Sequence, residues 1–315
     1  MRIYLLANSD KNGHILVLHF GLGQIGTAIL DRLRKSELVL KQVPVPMSWK
    51  EVDLAGLIQT LKKTLREFAL FPINRCLIIW SAGKTDFLST RQDTMEELSM
   101  FQHCLGSTCA MIAEQYRMQP DLFLMGSAGG LHAGQHYVED PSTLRPVNEY
   151  GRQKLHEEEF VREAGIFQGV TIFRISTVYT DSDLHAQRGI ISALLINGLR
   201  GSTTQLYGRP GTLRDYIYAG DLGRFVVAQI FQPLSDPTIH YVVSAMPTSI
   251  FQLQVIAERI LRRKLYVTYR ADGRNTASVS FAPSIIASGL YLSDIGTQMS
   301  VLVGRLASTH FRGYA

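Results

Sequence analysis

The chain has 315 residues, and 32 Lys and Arg against 27 Asp and Glu leave a formal net charge of +5. At roughly 150 residues per domain, that length suits two domains or one large α/β unit with an appended lobe. An apolar fraction of 46% with 19% charged residues excludes wholesale disorder, collagen-like repeats and coiled coils. No apolar run approaches the roughly 18 residues of a membrane-spanning helix, and the apolar stretch within Met1–Ala7 is too short for a signal peptide. Cys76, Cys104 and Cys109 are few, odd in number and set among apolar residues, which argues against a disulfide framework and for a reducing cytoplasm. The positive excess is thinly spread. Its one tight cluster, Arg262–Lys264, reads as a solvated helix end or a contact for an anionic small molecule, and nothing resembles a nucleic-acid-binding motif.

Strand-like and helix-like segments alternate through the first two thirds. His14–Phe20 reads as a strand ending at glycines, and Gln24–Lys35 as a helix with Ile25, Ala28, Ile29 and Leu33 at helical spacing. Leu38–Val43 reads as a second strand stopped by Pro44 and Pro46, Trp49–Asp53 as a short third strand, and Leu54–Leu70 as an amphipathic helix. Arg75–Trp80 and Asp121–Met125 read as strands separated by the long helix Met95–Arg117; Tyr150–Ala164 reads as a helix and Gly169–Arg174 as a strand. This alternation predicts an α/β, doubly wound parallel sheet with helices on both faces. Beyond Ile175 the regularity weakens, with helices expected over Gly189–Leu199, Asp221–Phe231 and Phe251–Arg263 and strands over His240–Ser244 and Leu265–Tyr269. Met1–Gly13 has the length for an extra strand, although the first strand of such a sheet normally has neighbours on both sides.

Between the first strand and its helix, Gly21-Leu-Gly23-Gln-Ile-Gly26 spells G-x-G-x-x-G. Gly21 permits a tight turn, Gly23 lets backbone approach a pyrophosphate, and Gly26 lets helix and strand pack closely. The helix start at Gln24 and Ile25 then faces the phosphates. A purely structural turn is the competing reading. A carboxylate for the adenosine ribose is expected after the second strand, but Lys41–Lys50 contains none, which removes a reason to prefer NAD over NADP. Ser48 and Lys50 suit either a 2′-phosphate or a solvated loop, and Asp53 either the adenine or a helix N-cap.

Tyr150 and Lys154 are four residues apart, so on a helix they share a face. A nearby ammonium favours a phenolate, which would let Tyr150 exchange a proton with a substrate oxygen while hydride moves to or from a nicotinamide. Lys154 would also hold the nicotinamide ribose. Ser127, at the C-terminal sheet edge where α/β ligands bind, would bind the same oxygen. A Tyr–Lys pair alone means little, and a surface pair is the bland alternative.

Together these residues resemble the extended short-chain dehydrogenase/reductase superfamily, in particular its nucleotide-sugar epimerase/dehydratase family. Ser127-Ala-Gly-Gly-Leu-His132 is similar to SSAxxVYG, Tyr150-Gly-Arg-Gln-Lys154 with Glu158 to YGxxKxxxE, and Arg174-Ile-Ser-Thr177-Val-Tyr179 to RxxNVYG. Arg214-Asp215-Tyr216 through Asp221-Leu222 is close to RDYIHVxDL, and Tyr269-Arg270-Ala-Asp-Gly273 loosely matches RRPGD. The resemblance implies a Rossmann-type fold, with a dinucleotide-binding domain over 1–177 continued by 211–244, and a smaller substrate-binding lobe from 178–210 and 245–315. It implies catalysis by Ser127, Tyr150 and Lys154, NAD or NADP held by Gly21, Gly23 and Gly26 with Ala82 and Gly83 alongside, and a nucleotide-sugar substrate. It also implies a homodimer through Met95–Arg117 and Tyr150–Ala164. Arg214 and Arg270 are candidates for the substrate phosphates, an ion pair with Asp215 or Asp221 being the alternative for Arg214. Thr177 is a further substrate candidate; His132 reads foremost as a loop histidine with no catalytic role, a substrate contact being the alternative.

The chain also departs from the pattern. Phe20 stands where GxxGxxG has its first glycine, His103 where the family's helix-four asparagine lies, and Thr177 where an asparagine often touches the sugar nucleotide. Ala128 and Gly129 replace the acid and base of the dehydratases, which disfavours dehydration and leaves epimerisation or keto-sugar reduction. A metal pair at His132 and His136 is disfavoured on one glycine-containing loop. A non-catalytic dinucleotide sensor or scaffold on the same fold is the alternative function.

Overall fold

A computed structural model describes residues 1–7, 13–46, 54–180, 189–232, 237–270 and 277–310. The expected strand at Trp49–Asp53, with Ser48, Lys50 and Asp53, lies outside them. The first half of the chain runs β1 (Arg2–Ala7), β2 (His14–Phe20), α1 (Gln24–Arg34), β3 (Val39–Pro44), α2 (Leu54–Arg66), β4 (Ile73–Trp80), α3 (Arg91–Tyr116), β5 (Asp121–Ser127) and α4 (Ala128–Leu131). It continues with α5 (Glu149–Glu163), β6 (Val170–Ile175), β7 (Thr177–Tyr179), α6 (Ile190–Arg200), β8 (Thr204–Tyr207), β9 (Leu213–Arg214) and β10 (Tyr216–Tyr218). The last elements are α7 (Ala219–Gln229), β11 (Thr238–Val242), β12 (Thr248–Ser249), α8 (Ile250–Leu261), β13 (Val267–Arg270) and α9 (Ile295–His310).

Among the described residues the main sheet has the order β11-β6-β5-β4-β2-β1-β3. The strands from β11 to β2 pair in parallel, as the strand–helix alternation predicts. The correction comes at the other side. Segment 1–7 does form an extra strand, and it enters the sheet interior, antiparallel to both β2 and β3. Its alternation explains how. Ile3 and Leu5 are buried on one face of the sheet and Tyr4 and Leu6 on the other, so β1 satisfies two cores at once.

One core lies between the sheet and α2, α3 and α5, around Leu61, Phe101, Leu105 and Val161. The opposite core packs α1 and α7 on the sheet through Ile29, Leu33, Phe225 and Val226. Gly223 allows the α1–α7 contact, because a side-chain carbon there would strike the backbone of Ala28. A third core joins α6, α8 and α9 through Leu194, Leu253 and Met299. α3 begins with a capping box between Thr90 and Asp93 and ends at Arg117 in the left-handed conformation. The three cysteines are free and buried, and no described helix is long and apolar enough to cross a membrane.

Candidate active site

The glycine turn is built as its spacing requires. Gly21 has φ +86°, and a side chain there would collide with the backbone of Ala82, two residues past β4. At Gly26 a side-chain carbon would strike the carbonyl of Gly21 and approach Ser81 Oγ. Gly23 is different: a carbon added there meets nothing within 4 Å. It is the N-cap of α1, and neither a side-chain cap nor an acidic residue occupies the first turn. The N–H groups at Gln24 and Ile25 are thus set for an anion. An open glycine over a helix N-terminus fits a dinucleotide diphosphate. Phe20, the departure from the longer glycine pattern, is no loop residue. It completes β2 and stacks on Trp80 at 5.0 Å. Ser81 ties the two strand ends together, its hydroxyl lying 2.9 Å from the carbonyls of Phe20 and Gly21 and 3.0 Å from His19 Nε2.

Ser127 ends β5 and caps α4, its Oγ accepting from Gly130 N at 3.0 Å. The hydroxyl proton remains free to donate. Tyr150 stands in the first turn of α5, whose N-cap Asn148 accepts from Gly151 N at 2.8 Å. Two glycines bring α4 and α5 together. A side-chain carbon at Gly151 would strike the carbonyl of Gly130, and one at Gly130 would sit 3.1 Å from both Ser127 Oγ and Tyr150 Cε1. The serine hydroxyl and the phenol ring therefore converge beside the same glycine. The Tyr150 ring also meets the Phe87 ring, 5.1 Å between centroids.

Lys154 lies on the same helix face, with Nζ 5.7 Å from the Tyr150 ring centroid. It is buried, and its ammonium reaches both oxygens of Glu157, at 2.9 and 2.8 Å. Burial opposes the charge on Lys154, but attraction from Glu157 and Tyr150 outweighs it and raises the ammonium above its ordinary value. With two of its three N–H groups directed at Glu157, one remains for another acceptor.

Glu157 belongs to a buried chain of polar groups that sequence reasoning missed. Gln153 Nε2 donates to Glu157 at 2.9 Å and to Glu97 at 3.0 Å. Glu97, on α3, accepts from the backbone of Lys84 and Thr85 at 2.7 and 3.1 Å and from the Thr85 hydroxyl at 2.9 Å. It therefore clamps the loop after β4, beside Gly83. The helix-four position singled out from the sequence, His103, is exposed instead. No sequence signal marks Glu97, which is one carboxylate among several on a long helix.

A cleft of about 420 Å³ opens beside these groups, with Phe87, Thr90, Gly129, Asn148, Thr177 and Arg214 among its walls. Arg214 donates to the carbonyls of Leu213 and Ala277. Burial lowers its guanidinium from the ordinary value. The two acids considered as its ion-pair partners are engaged elsewhere, Asp215 accepting from Ser244 N and Oγ and Asp221 from Ser293 N and Oγ.

Two of the candidates stand apart from the cleft. His132 is fully buried and shares hydrogen bonds with Tyr241 Oη at 2.7 Å and Gln135 at 3.0 Å. It packs the interior, and burial lowers its imidazole. Arg270 is exposed on β13, where it pairs with Tyr207 of β8, and does not line the cleft. Two other motif members are structural. Arg174 donates to Glu158 at 2.7 and 3.0 Å and to the Tyr241 hydroxyl, tying α5 to β6 and β11 in the interior.

Comparison with known proteins adds an independent line. Residues 86–244 match the family model described as "NAD dependent epimerase/dehydratase family". A Methanocaldococcus jannaschii protein, provisionally named a UDP-glucose 4-epimerase, is 27% identical over 110 residues, covering 33% of this chain and 36% of that relative. The chain thus matches about a third of that relative's length. The fold is similar to the UDP-glucose 4-epimerase of Thermus thermophilus, solved with NAD, at a TM-score of 0.71 and 17% identity over 96% of this chain and 99% of that one. It is also similar to RMD from Pseudomonas aeruginosa, solved with NADPH, at a TM-score of 0.70 and 16% identity over 93% and 98% of the two chains.

Proposed function

The chain belongs to the NAD dependent epimerase/dehydratase family, and from that premise we propose that it is an enzyme catalysing hydride transfer on a nucleotide sugar, as an epimerase or a keto-sugar reductase. The observation that carries this reading is the approach of Ser127 and Tyr150 to the same point above Gly130, beside a cleft that has Gly129, Asn148 and Arg214 in its wall. A nicotinamide dinucleotide, when bound, supplies the hydride donor or acceptor. Gly21, Gly23, Gly26 and the start of α1 at Gln24 and Ile25 hold its diphosphate, with Ala82 and Gly83 alongside.

The residues divide the remaining work. Ser127 donates its hydroxyl proton in a hydrogen bond to the reacting substrate oxygen and orients it. Tyr150 gives a proton to that oxygen when a carbonyl is reduced and takes one when an alcohol is oxidised. Lys154 places a positive charge beside the phenol and offers its remaining N–H to the nicotinamide ribose. Arg214 and Thr177 receive the sugar-nucleotide side of the substrate, and residues 178–210 and 245–315 make up the substrate lobe. Ala128 and Gly129 supply no further acid or base. The dimer implied by the family resemblance would form along α3 and α5, and sedimentation velocity reads it directly.

The test is Tyr150→Phe, assayed with isotope-labelled hydride over a panel of nucleotide sugars. The variant is expected to keep dinucleotide binding and lose at least about a hundredfold in turnover, the usual scale of acid–base catalysis. Comparable rates in variant and parent would overturn the scheme. Tight dinucleotide binding by the parent with no transfer to any sugar would point to the sensor instead.

A further inference from the structure

In a doubly wound sheet, the strand next to the glycine-loop strand reaches the adenosine ribose. A carboxylate there receives the 2′-hydroxyl, whereas a nearby cation accommodates a 2′-phosphate. In this chain that neighbour is β1, and it runs the other way. Its first residue, rather than its last, lies at the glycine edge. Arg2 is paired with His19, two positions before Gly21, and with Pro44 on the other side. β3 is displaced outward by one strand, about 4.8 Å.

The face is also determined. Directly opposed residues of an antiparallel pair share a face, so Arg2 lies with His19 and Tyr4, on the side covered by α1. That helix starts at the glycine loop. Arg2 is half-buried, and its Nε is buried with no hydrogen-bond partner in the structure. It joins none of the ion pairs among the described residues. Val43-Pro-Val-Pro46, at and just past the end of β3, carries no carboxylate. A planar cation with spare donors thus stands where a ribose carboxylate would otherwise be expected.

We propose that Arg2, delivered by the inserted strand β1, binds the 2′-phosphate of the dinucleotide and makes this chain selective for NADP(H) over NAD(H). The proposal rests on the dinucleotide-binding reading of the glycine loop and names the residue that chooses between the two cofactors.

Isothermal titration of the full chain with NADPH and NADH tests it without any turnover. The parent is expected to bind NADPH at least about tenfold more tightly, the scale of one charge-assisted contact. Arg2→Gln should lose about that factor for NADPH and leave NADH within about twofold. On the parent alone, adenosine 2′,5′-bisphosphate should displace NADPH where 5′-AMP does not, a measurement independent of how the variant folds. Equal affinities in the parent, or an equal loss of both dinucleotides in the variant, would overturn the assignment to Arg2. NADH binding alone would also overturn it while leaving the functional reading in place, whereas a parent that binds neither dinucleotide would remove both.

Discussion

Lys154 and Glu157 are neighbours on one helix turn, and both are buried. A buried ammonium is costly without a partner, so Glu157 fixes where the lysine stands. Through Gln153 and Glu97 the same pair is tied to the backbone of residues 84–85. The expected outcome of Glu157→Gln is a loss of about 3 kcal/mol in stability, measured by urea unfolding, because a buried cation then faces a neutral amide. Tyr150 and Lys154 were legible in the sequence because a spacing of four puts them on one helix face whatever the rest of the fold does. Glu97 was not, since its partner lies 56 positions away.

At the scale of elements, the strand–turn–helix unit from β2 to α1 was legible, and the structure separates the duties of its glycines. Gly26→Ala is expected to cost about 1–3 kcal/mol, because the new methyl meets the Gly21 carbonyl in a packed turn. Gly23→Ala should leave thermal stability nearly unchanged, since the position is open, and weaken dinucleotide binding measured by titration. Equal destabilisation by the two substitutions would contradict this division. The approach of α4 to α5 through Gly130 and Gly151 was harder to foresee, because neither glycine belongs to a repeated spacing. Their use appears only once two distant helices are brought together. His132 shows a related limit: its place in the loop after α4 was legible, but its burial against Tyr241, 109 positions away, was not.

The whole molecule carries an acid sensitivity beneath the glycine loop. His19 is fully buried, and burial, followed by the positive charges of the terminal amine and Arg2, holds its imidazole down at about 3. An unfolded histidine titrates near about 6.5. Between those values the unfolded chain binds the extra proton and the folded chain does not, so stability falls as pH falls through that window. The parent should lose up to about 1.4 kcal/mol per pH unit relative to His19→Gln from about pH 6.5 down to about 4, with no change in the difference above about pH 7. Parallel stability curves for the two chains would refute this.

The sequence by itself determined the strand–helix alternation, the glycine turn and the Tyr–Lys face, because each depends on backbone periodicity over a few residues. Tertiary structure alone decided that β1 enters between β2 and β3, that Glu97 reaches α5, and that His132 is interior. The reason is physical. A strand with apolar residues on both faces can be satisfied at any interior position of a sheet, and a buried carboxylate or imidazole takes its role from partners that only the folded chain supplies.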